Sequence, residues 1–163
     1  MKKFLVIIVM LALVGVGFLA FGHSRGREIL VATATPTPEN ISDFSIQVPD
    51  GFTMRAVSAS ISETIYTIEN DKGVGFQIFA SDFDEPGPIT EERVYEDLPD
   101  AVVNEPGQAT LDGAASFVFY GEDEDLGETF EVWAVHHGKL FQIMGRKADE
   151  ELVIKTINTW KWK

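Results

Sequence analysis

The sequence predicts an α+β domain built on an antiparallel sheet of about six or seven strands, covered by two or more helices. Short segments in which apolar and polar residues alternate recur from Phe44 onward, and this two-residue period is typical of strands. Turn-forming residues separate most of these segments, and such short connections force neighbouring strands to run antiparallel. Two late segments instead have helical spacing of their apolar residues.

The first strands are predicted from alternation and from the turns between them. Phe44, Ile46 and Val48 alternate with polar residues before a turn at 49–51. Residues 61–69 are rich in Ile, Thr and Tyr, and after a turn at 70–73 the segment 74–80 returns as a hairpin.

A short helix is predicted after a loop at 81–90, which contains two prolines and a glycine. Thr90 has the character of an N-cap, and the glutamates at 91–92 lie where the helix dipole favours acids. Val94 and Leu98 share one face, and Pro99 ends the helix.

The second half of the chain continues mainly as strands. Turns are predicted at Asp112–Gly113 and His137–Gly138. The predicted strands are a brief one at 101–104 and longer ones at 115–120, 128–136 and 139–145. Phe130 and Val132 lie on one face of their strand, whereas Trp133 and Val135 lie on the other, so we expect the sheet to be covered on both faces.

A second helix is predicted near the C-terminus, with Asp149 as its cap. Val153, Ile157 and Trp160 follow at the spacing of a core-facing stripe. The alternation at 160–162 predicts a short final strand.

The N-terminal segment predicts a membrane anchor. After Lys2 and Lys3, residues 4–21 carry no charge and no strongly polar side chain. As a helix they would span about 27 Å, close to the ~30 Å hydrocarbon core of a bilayer. This length favours an uncleaved signal anchor with the domain outside the cytoplasm, while cleavage before His23 and secretion is the alternative. We therefore divide the chain into an anchor (1–28), a Thr/Pro-rich linker (29–41) that acts as an extended tether, and an extracytoplasmic domain (42–163).

Charge and composition exclude several classes of partner and chemistry. The 163-residue chain has a net charge of −13, and residues 29–163 carry nine basic and 25 acidic side chains, a net charge of −16. Such a surface repels nucleic-acid phosphates and anionic lipid headgroups, so we expect no nucleic-acid binding. The absence of cysteine excludes disulfides, thiol catalysis and cysteine-ligated zinc.

Two acidic segments are candidates for calcium-binding loops. The first segment contains Glu122, Asp123, Glu124 and Asp125, with Glu128 beyond. It lacks the glycine at the sixth position and the glutamate at the twelfth position that an EF-hand loop requires. Asp82, Asp84 and Gly87 fit the first, third and sixth positions of such a loop, but Arg93 occupies the place of its bidentate acid. Both segments are interpreted as solvated loops.

The sequence assigns no catalytic, cofactor-binding or metal-binding residue, and no cofactor is expected. His136 and His137 are neighbours at a strand end, so their side chains are expected to point to opposite faces. They are interpreted as turn histidines, since no nucleophile, zinc-protease or phosphate-loop motif accompanies them. Trp133, Trp160 and Trp162 are interpreted as core residues.

The predicted domain opens with FSIQVPDGF at 44–52 and closes with INTWKW at 157–162. In these segments residues 42–162 resemble the PsbP-like domains, the family of the photosystem II extrinsic protein. Phe52 stands where the family more often has Trp, and Trp160 and Trp162 stand where Phe is common. The resemblance implies an α/β/α sandwich and an accessory or binding role rather than an enzymatic one. The chain is also similar to small uncharacterised, signal-anchored bacterial proteins.

These observations together predict a membrane-anchored, extracytoplasmic accessory or interaction domain that is not an enzyme. The expected partners are the membrane, through the N-terminal helix, and a membrane protein. One alternative is a small hydrolase that uses the dispersed carboxylates Asp82, Asp84 and Glu128. Another is an extracytoplasmic protein that binds a small ligand or a cation.

Overall fold

The computed structural model describes residues 38–40, as backbone, and residues 43–163. The predicted anchor and most of the predicted tether lie outside these residues. Pro38–Asn40, at the end of the predicted tether, form a short strand. Within the described part of the chain, no helix is long and apolar enough to cross a membrane.

The described residues form ten strands, two α-helices and one 3₁₀ turn at Lys147–Asp149. The helices are α1 (Glu91–Asp97) and α2 (Glu150–Ile157). The strands are β1 (Pro38–Asn40), β2 (Phe44–Gln47), β3 (Phe52–Ser58), β4 (Glu63–Asn70), β5 (Gly75–Asp82), β6 (Asn104–Leu111), β7 (Ala114–Asp123), β8 (Gly127–His136), β9 (Lys139–Arg146) and β10 (Lys161–Trp162).

Seven strands form the main sheet, in the order β3-β4-β5-β9-β8-β7-β6. A smaller sheet in the described residues has the order β1-β2-β10. Every pairing in these two sheets is antiparallel, as the short turns predicted. The α+β class with a largely antiparallel sheet is therefore confirmed.

One face of the main sheet packs against β2, α2 and the end of the chain. Phe44 of β2 stacks on Trp160, with ring centroids 3.9 Å apart and 12° between the planes. Both rings also make edge contacts with Phe141 of β9. Because Trp160 and Val153 are buried, the predicted C-terminal stripe does face the core.

The opposite face packs against α1 and the loop before it. Trp133 of β8 and Phe117 of β7 form a second cluster with Ile89 and with Val94 of α1, and all four are buried. The sheet is thus covered on both faces, as the apolar residues on both sides of β8 predicted.

The two helices begin where the sequence predicts, with one difference in capping. The Thr90 hydroxyl accepts a hydrogen bond from the Arg93 amide at 3.3 Å, so Thr90 is the N-cap of α1. Asp149 occupies the N-cap position of α2 but makes no capping bond. Its carboxylate accepts from the Arg146 Nε at 2.8 Å instead, because a 3₁₀ turn precedes the helix.

Besides β1, two strands differ from the prediction, and both lie at the edges of the main sheet. No strand is predicted at Phe52–Ser58, where the structure has β3. The brief strand predicted at 101–104 is wrong, since β6 begins at Asn104 and runs to Leu111. Pro106 and Gly107 are accommodated within β6 because its pairing with β7 is irregular between Asn104 and Gly107.

Candidate functional site

The acidic loop between β7 and β8 forms a tight turn whose main acceptor is Asp123. Its carboxylate oxygen Oδ1 accepts from the backbone amides of Asp125 and Leu126, at 2.9 and 2.8 Å. Glu128, just beyond the turn, lies 3.4 Å from the Lys147 ammonium. No group of three potential metal ligands exists among the described residues.

The carboxylates considered for a hydrolase do not converge. Asp82 ends β5 and lies opposite Lys139, which in turn lies opposite His136 at the end of β8. Glu128 is at the start of β8, eight residues from His136 along an extended strand. At roughly 3.3 Å per residue, Asp82 and Glu128 lie about 26 Å apart along the sheet.

Arg93, which interrupted the calcium-loop pattern, is the centre of a network of ion pairs. Its guanidinium bonds to Glu85 at 2.7 Å and to Asp97 at 2.8 Å, and it lies 5.1 Å from the centre of the Phe83 ring. A surface depression of about 230 Å³ beside it is lined by mainly polar and charged groups of the same loop and of α1. These contacts connect the loop at 83–90 to α1.

The two adjacent histidines stack instead of pointing to opposite faces. Their ring centroids are 3.9 Å apart with 29° between the planes, so the expectation of opposite faces is wrong. His137 adopts a left-handed conformation, with φ of 47°, in the two-residue turn to Lys139. This conformation breaks the strand alternation and brings the two imidazoles together.

His136 and Asp112 hold the C-terminal strand on the main sheet. The His136 ring stacks on the Trp162 indole at 4.2 Å. The Asp112 carboxylate accepts from the Lys161 ammonium at 2.6 Å and from the Trp162 amide at 2.9 Å, and the Trp162 indole N–H donates to the Leu111 carbonyl at 2.7 Å. The bond from Lys161 is the main reason that the pKa of Asp112 lies below its usual range.

The His136 imidazole is enclosed between the Trp162 indole and the His137 ring. Its Nε2 is buried and has no hydrogen-bond partner. Burial lowers the pKa of His136, with a further lowering from His137, while the nearby Asp112 charge opposes the shift. A neutral ring stacked between Trp162 and His137 is the form that this environment favours.

Glu131 is a half-buried carboxylate that the sequence analysis missed. Its oxygens accept from the Thr129 hydroxyl at 3.0 Å and from the Trp133 indole N–H at 2.9 Å. Gly121 on the neighbouring strand leaves room for the carboxylate, since a Cβ there would lie 2.5 Å from Glu131 Oε1. Burial raises the pKa of Glu131, and the two hydrogen bonds oppose that rise. Its position on the same face as Trp133 could have indicated burial.

The two edges of the main sheet differ in how they are protected against further strand pairing. The β6 edge contains Pro106, a pairing irregularity and a left-handed residue at Glu105, all of which hinder the addition of another strand. The β3 edge has seven residues in continuous register with β4 and contains no proline, lysine or bulge. An edge of this second kind is open to pairing with another chain.

Exposed apolar side chains accompany the β3 edge. The side chain of Val57 is 62% exposed, and Ile61 at the tip of the β3–β4 hairpin is fully exposed. Arg55 is the one charged residue of β3, and its guanidinium lies 3.1 Å from Glu69 on β4. We define the β3 edge surface as residues 52–61.

No protein-family model matches the chain, and no curated protein matches it.

Proposed function

We propose that the chain is a non-enzymatic, membrane-anchored accessory domain that binds another polypeptide strand through the β3 edge surface. The observation that carries this proposal is the contrast between the two sheet edges. The β6 edge contains a proline and a pairing irregularity, which proteins use to prevent strand addition, whereas the β3 edge contains neither and has one charged residue, Arg55, which is paired with Glu69. An open edge is the surface that strand-addition complexes use, because backbone hydrogen bonds supply much of their affinity.

The exposed apolar residues support the same surface. Four large apolar side chains are substantially exposed in the described residues, and two of them, Val57 and Ile61, belong to the β3–β4 hairpin. A strand that paired with β3 would cover part of Val57 and remove apolar area from water. Strand pairing would therefore combine backbone hydrogen bonds with a modest hydrophobic contribution.

The anchored location is supported by the sequence at 1–41. The uncharged run at 4–21 has the length of a membrane span, and a Thr/Pro-rich segment separates it from the domain. In this arrangement the anchor limits the domain to partners at the membrane, which include membrane proteins. Alkaline extraction of membranes tests this location: the full chain should stay in the pellet, and release of a chain that begins at His23 would contradict it.

Binding at the β3 edge is tested by placing a photoreactive amino acid at Val57 in the full chain and illuminating intact cells. We expect a discrete crosslinked product from position 57. The matched control is Ile154 on α2, which is 38% exposed and lies away from the edge, and we expect no such product from it. Equal labelling from both positions, or none from position 57, would contradict the proposal.

A further inference from the structure

We propose that the β3 edge binds the β3 edge of a second copy of this chain, antiparallel about a two-fold axis at Ala56. The two main sheets would then form one continuous sheet. This inference rests on the proposed function, because it names the partner of the same edge.

The open backbone groups of β3 follow from the hydrogen bonds around β4. The Asn70 amide of β4 donates to the Val74 carbonyl, and the Asp82 amide of β5 donates to the Ser62 carbonyl. Even-numbered residues of β4 therefore direct their backbone amides and carbonyls toward β5. The odd-numbered residues of β4 direct these backbone groups toward β3, in agreement with the bond from the Ala59 amide to the Glu63 carbonyl. By the same alternation, residues 53, 55 and 57 bond to β4, and residues 54, 56 and 58 direct their amides and carbonyls outward.

These outward groups are arranged so that β3 can pair with itself. With Ala56 opposite Ala56 of the second copy, Met54 lies opposite Ser58 of that copy, and the reverse pair is identical. Three residues of each strand would exchange about six backbone hydrogen bonds. This register is centred on residues 54–58 and uses every open backbone group of that segment.

The side chains on β3 are compatible with this register. Ala56 at the axis is small, so the two strands can approach without a clash. Arg55 would lie opposite Val57 of the second copy, and no two like charges would face one another. Arg55 is also already paired with Glu69, at 3.1 Å, so it brings little uncompensated charge to the contact.

Net charge determines how the association responds to salt. Each chain carries a net charge of −13, so two copies repel each other at long range. The only charged residue of β3 is Arg55, which is already paired with Glu69, so no ion pair between the two copies offsets that repulsion. Added salt screens charges beyond about 10 Å at 0.1 M, and we therefore expect self-association to tighten as salt increases.

The natural absence of cysteine permits a direct test with single-cysteine variants of the full chain in membranes. Ala56→Cys places two thiols opposite each other, at a Cα separation of about 5.5 Å, which a disulfide can bridge. Thr53→Cys is the matched control, since residue 53 is also exposed and lies on the same strand. Two copies of residue 53 would lie about 20 Å apart in this register. We expect mild oxidation to convert most A56C chains, and few T53C chains, to disulfide-linked dimers.

A mixture of Met54→Cys and Ser58→Cys chains provides a second test, in case A56C does not fold. These residues face each other across the pair, so the mixed disulfide should exceed each homodimer. Equal dimer yields from A56C and T53C, or loss of association at high salt, would overturn the proposal. No disulfide dimer, together with a photocrosslinked product from position 57 that contains a different protein, would overturn self-pairing while leaving the proposed function in place. Absence of both would overturn both.

Discussion

Replacement of Trp160 tests how the C-terminal segment stabilises the sheet. Trp160 is 1% exposed, stacks on Phe44 at 3.9 Å and makes edge contacts with Phe141 and Trp162. Truncation of a buried aromatic side chain to alanine lowers the free energy of unfolding by about 3–5 kcal/mol. A domain of this size has a total stability of roughly 5–15 kcal/mol, so Trp160→Ala should remove a large share of it.

The indole nitrogen and the ring make separable contributions. Trp160 Nε1 is buried without a hydrogen-bond partner, so replacing the indole by a phenyl ring removes no hydrogen bond. Trp160→Phe keeps a ring opposite Phe44, and we expect it to lose less than half of what Trp160→Ala loses. Ile154→Ala on the exposed side of α2 is the control and should change stability by about 0.5 kcal/mol or less.

The assay is urea unfolding of the detergent-solubilised full chain, followed by circular dichroism. The midpoint should fall in the order wild type, W160F, W160A, with I154A close to wild type. A loss of less than about 1 kcal/mol for W160A would refute the reasoning, because it would show that the terminal indole does not stabilise the core.

Three further predictions concern pH and helix capping. Burial lowers the pKa of His136 below its unfolded value of 6.5. The contribution of His136 to stability is therefore fully present above pH 6.5 and is lost as the pH falls through the folded-state pKa. Thermal melts of the wild type should show this decline in stability, and His136→Asn should make the decline smaller. Burial raises the pKa of Glu131 above 4.5, so ionisation of Glu131 lowers stability as the pH rises through the folded-state pKa. Glu131→Gln should flatten this part of the plot of melting temperature against pH. An unchanged plot would contradict the burial of the Glu131 carboxylate. Thr90→Ala removes the cap of α1 and should lower the free energy of unfolding by about 1 kcal/mol, as measured by urea unfolding, whereas Thr90→Ser should retain most of it.

The sequence predicts those parts of the fold in which burial imposes a strong pattern. The strands at 115–120 and 128–136 lie within β7 and β8, in the middle of a sheet covered on both faces. The C-terminal stripe through Val153 and Trp160 is recognisable for the same reason. The membrane anchor and the PsbP-like resemblance stay predictions.

The edge strands escape prediction because their environment imposes weaker constraints. In β3, five of seven residues are exposed, so no strict alternation of apolar and polar residues is required. In β6, Pro106 and Gly107 have the composition of a turn, but an edge position tolerates them because one side of the strand needs no ladder hydrogen bonds. The proposed binding surface lies on such an edge, which explains why no motif indicates it.

The histidine pair shows a second limit, which arises from backbone conformation. The alternation rule applies to extended residues, whereas His137 has a φ of 47° in the turn before Lys139. The rule therefore places its ring incorrectly, although the turn itself is predicted from His137–Gly138.

Residue-resolved hydrogen exchange of the full chain in membranes tests strand pairing at the β3 edge most directly. The amides of Thr53, Arg55 and Val57 bond to β4 in every case and serve as internal references. If β3 pairs with a second copy, the amides of residues 54, 56 and 58 should exchange about as slowly as these references. Fast exchange at all three positions beside slow references would show that the edge is free and would contradict the proposed role.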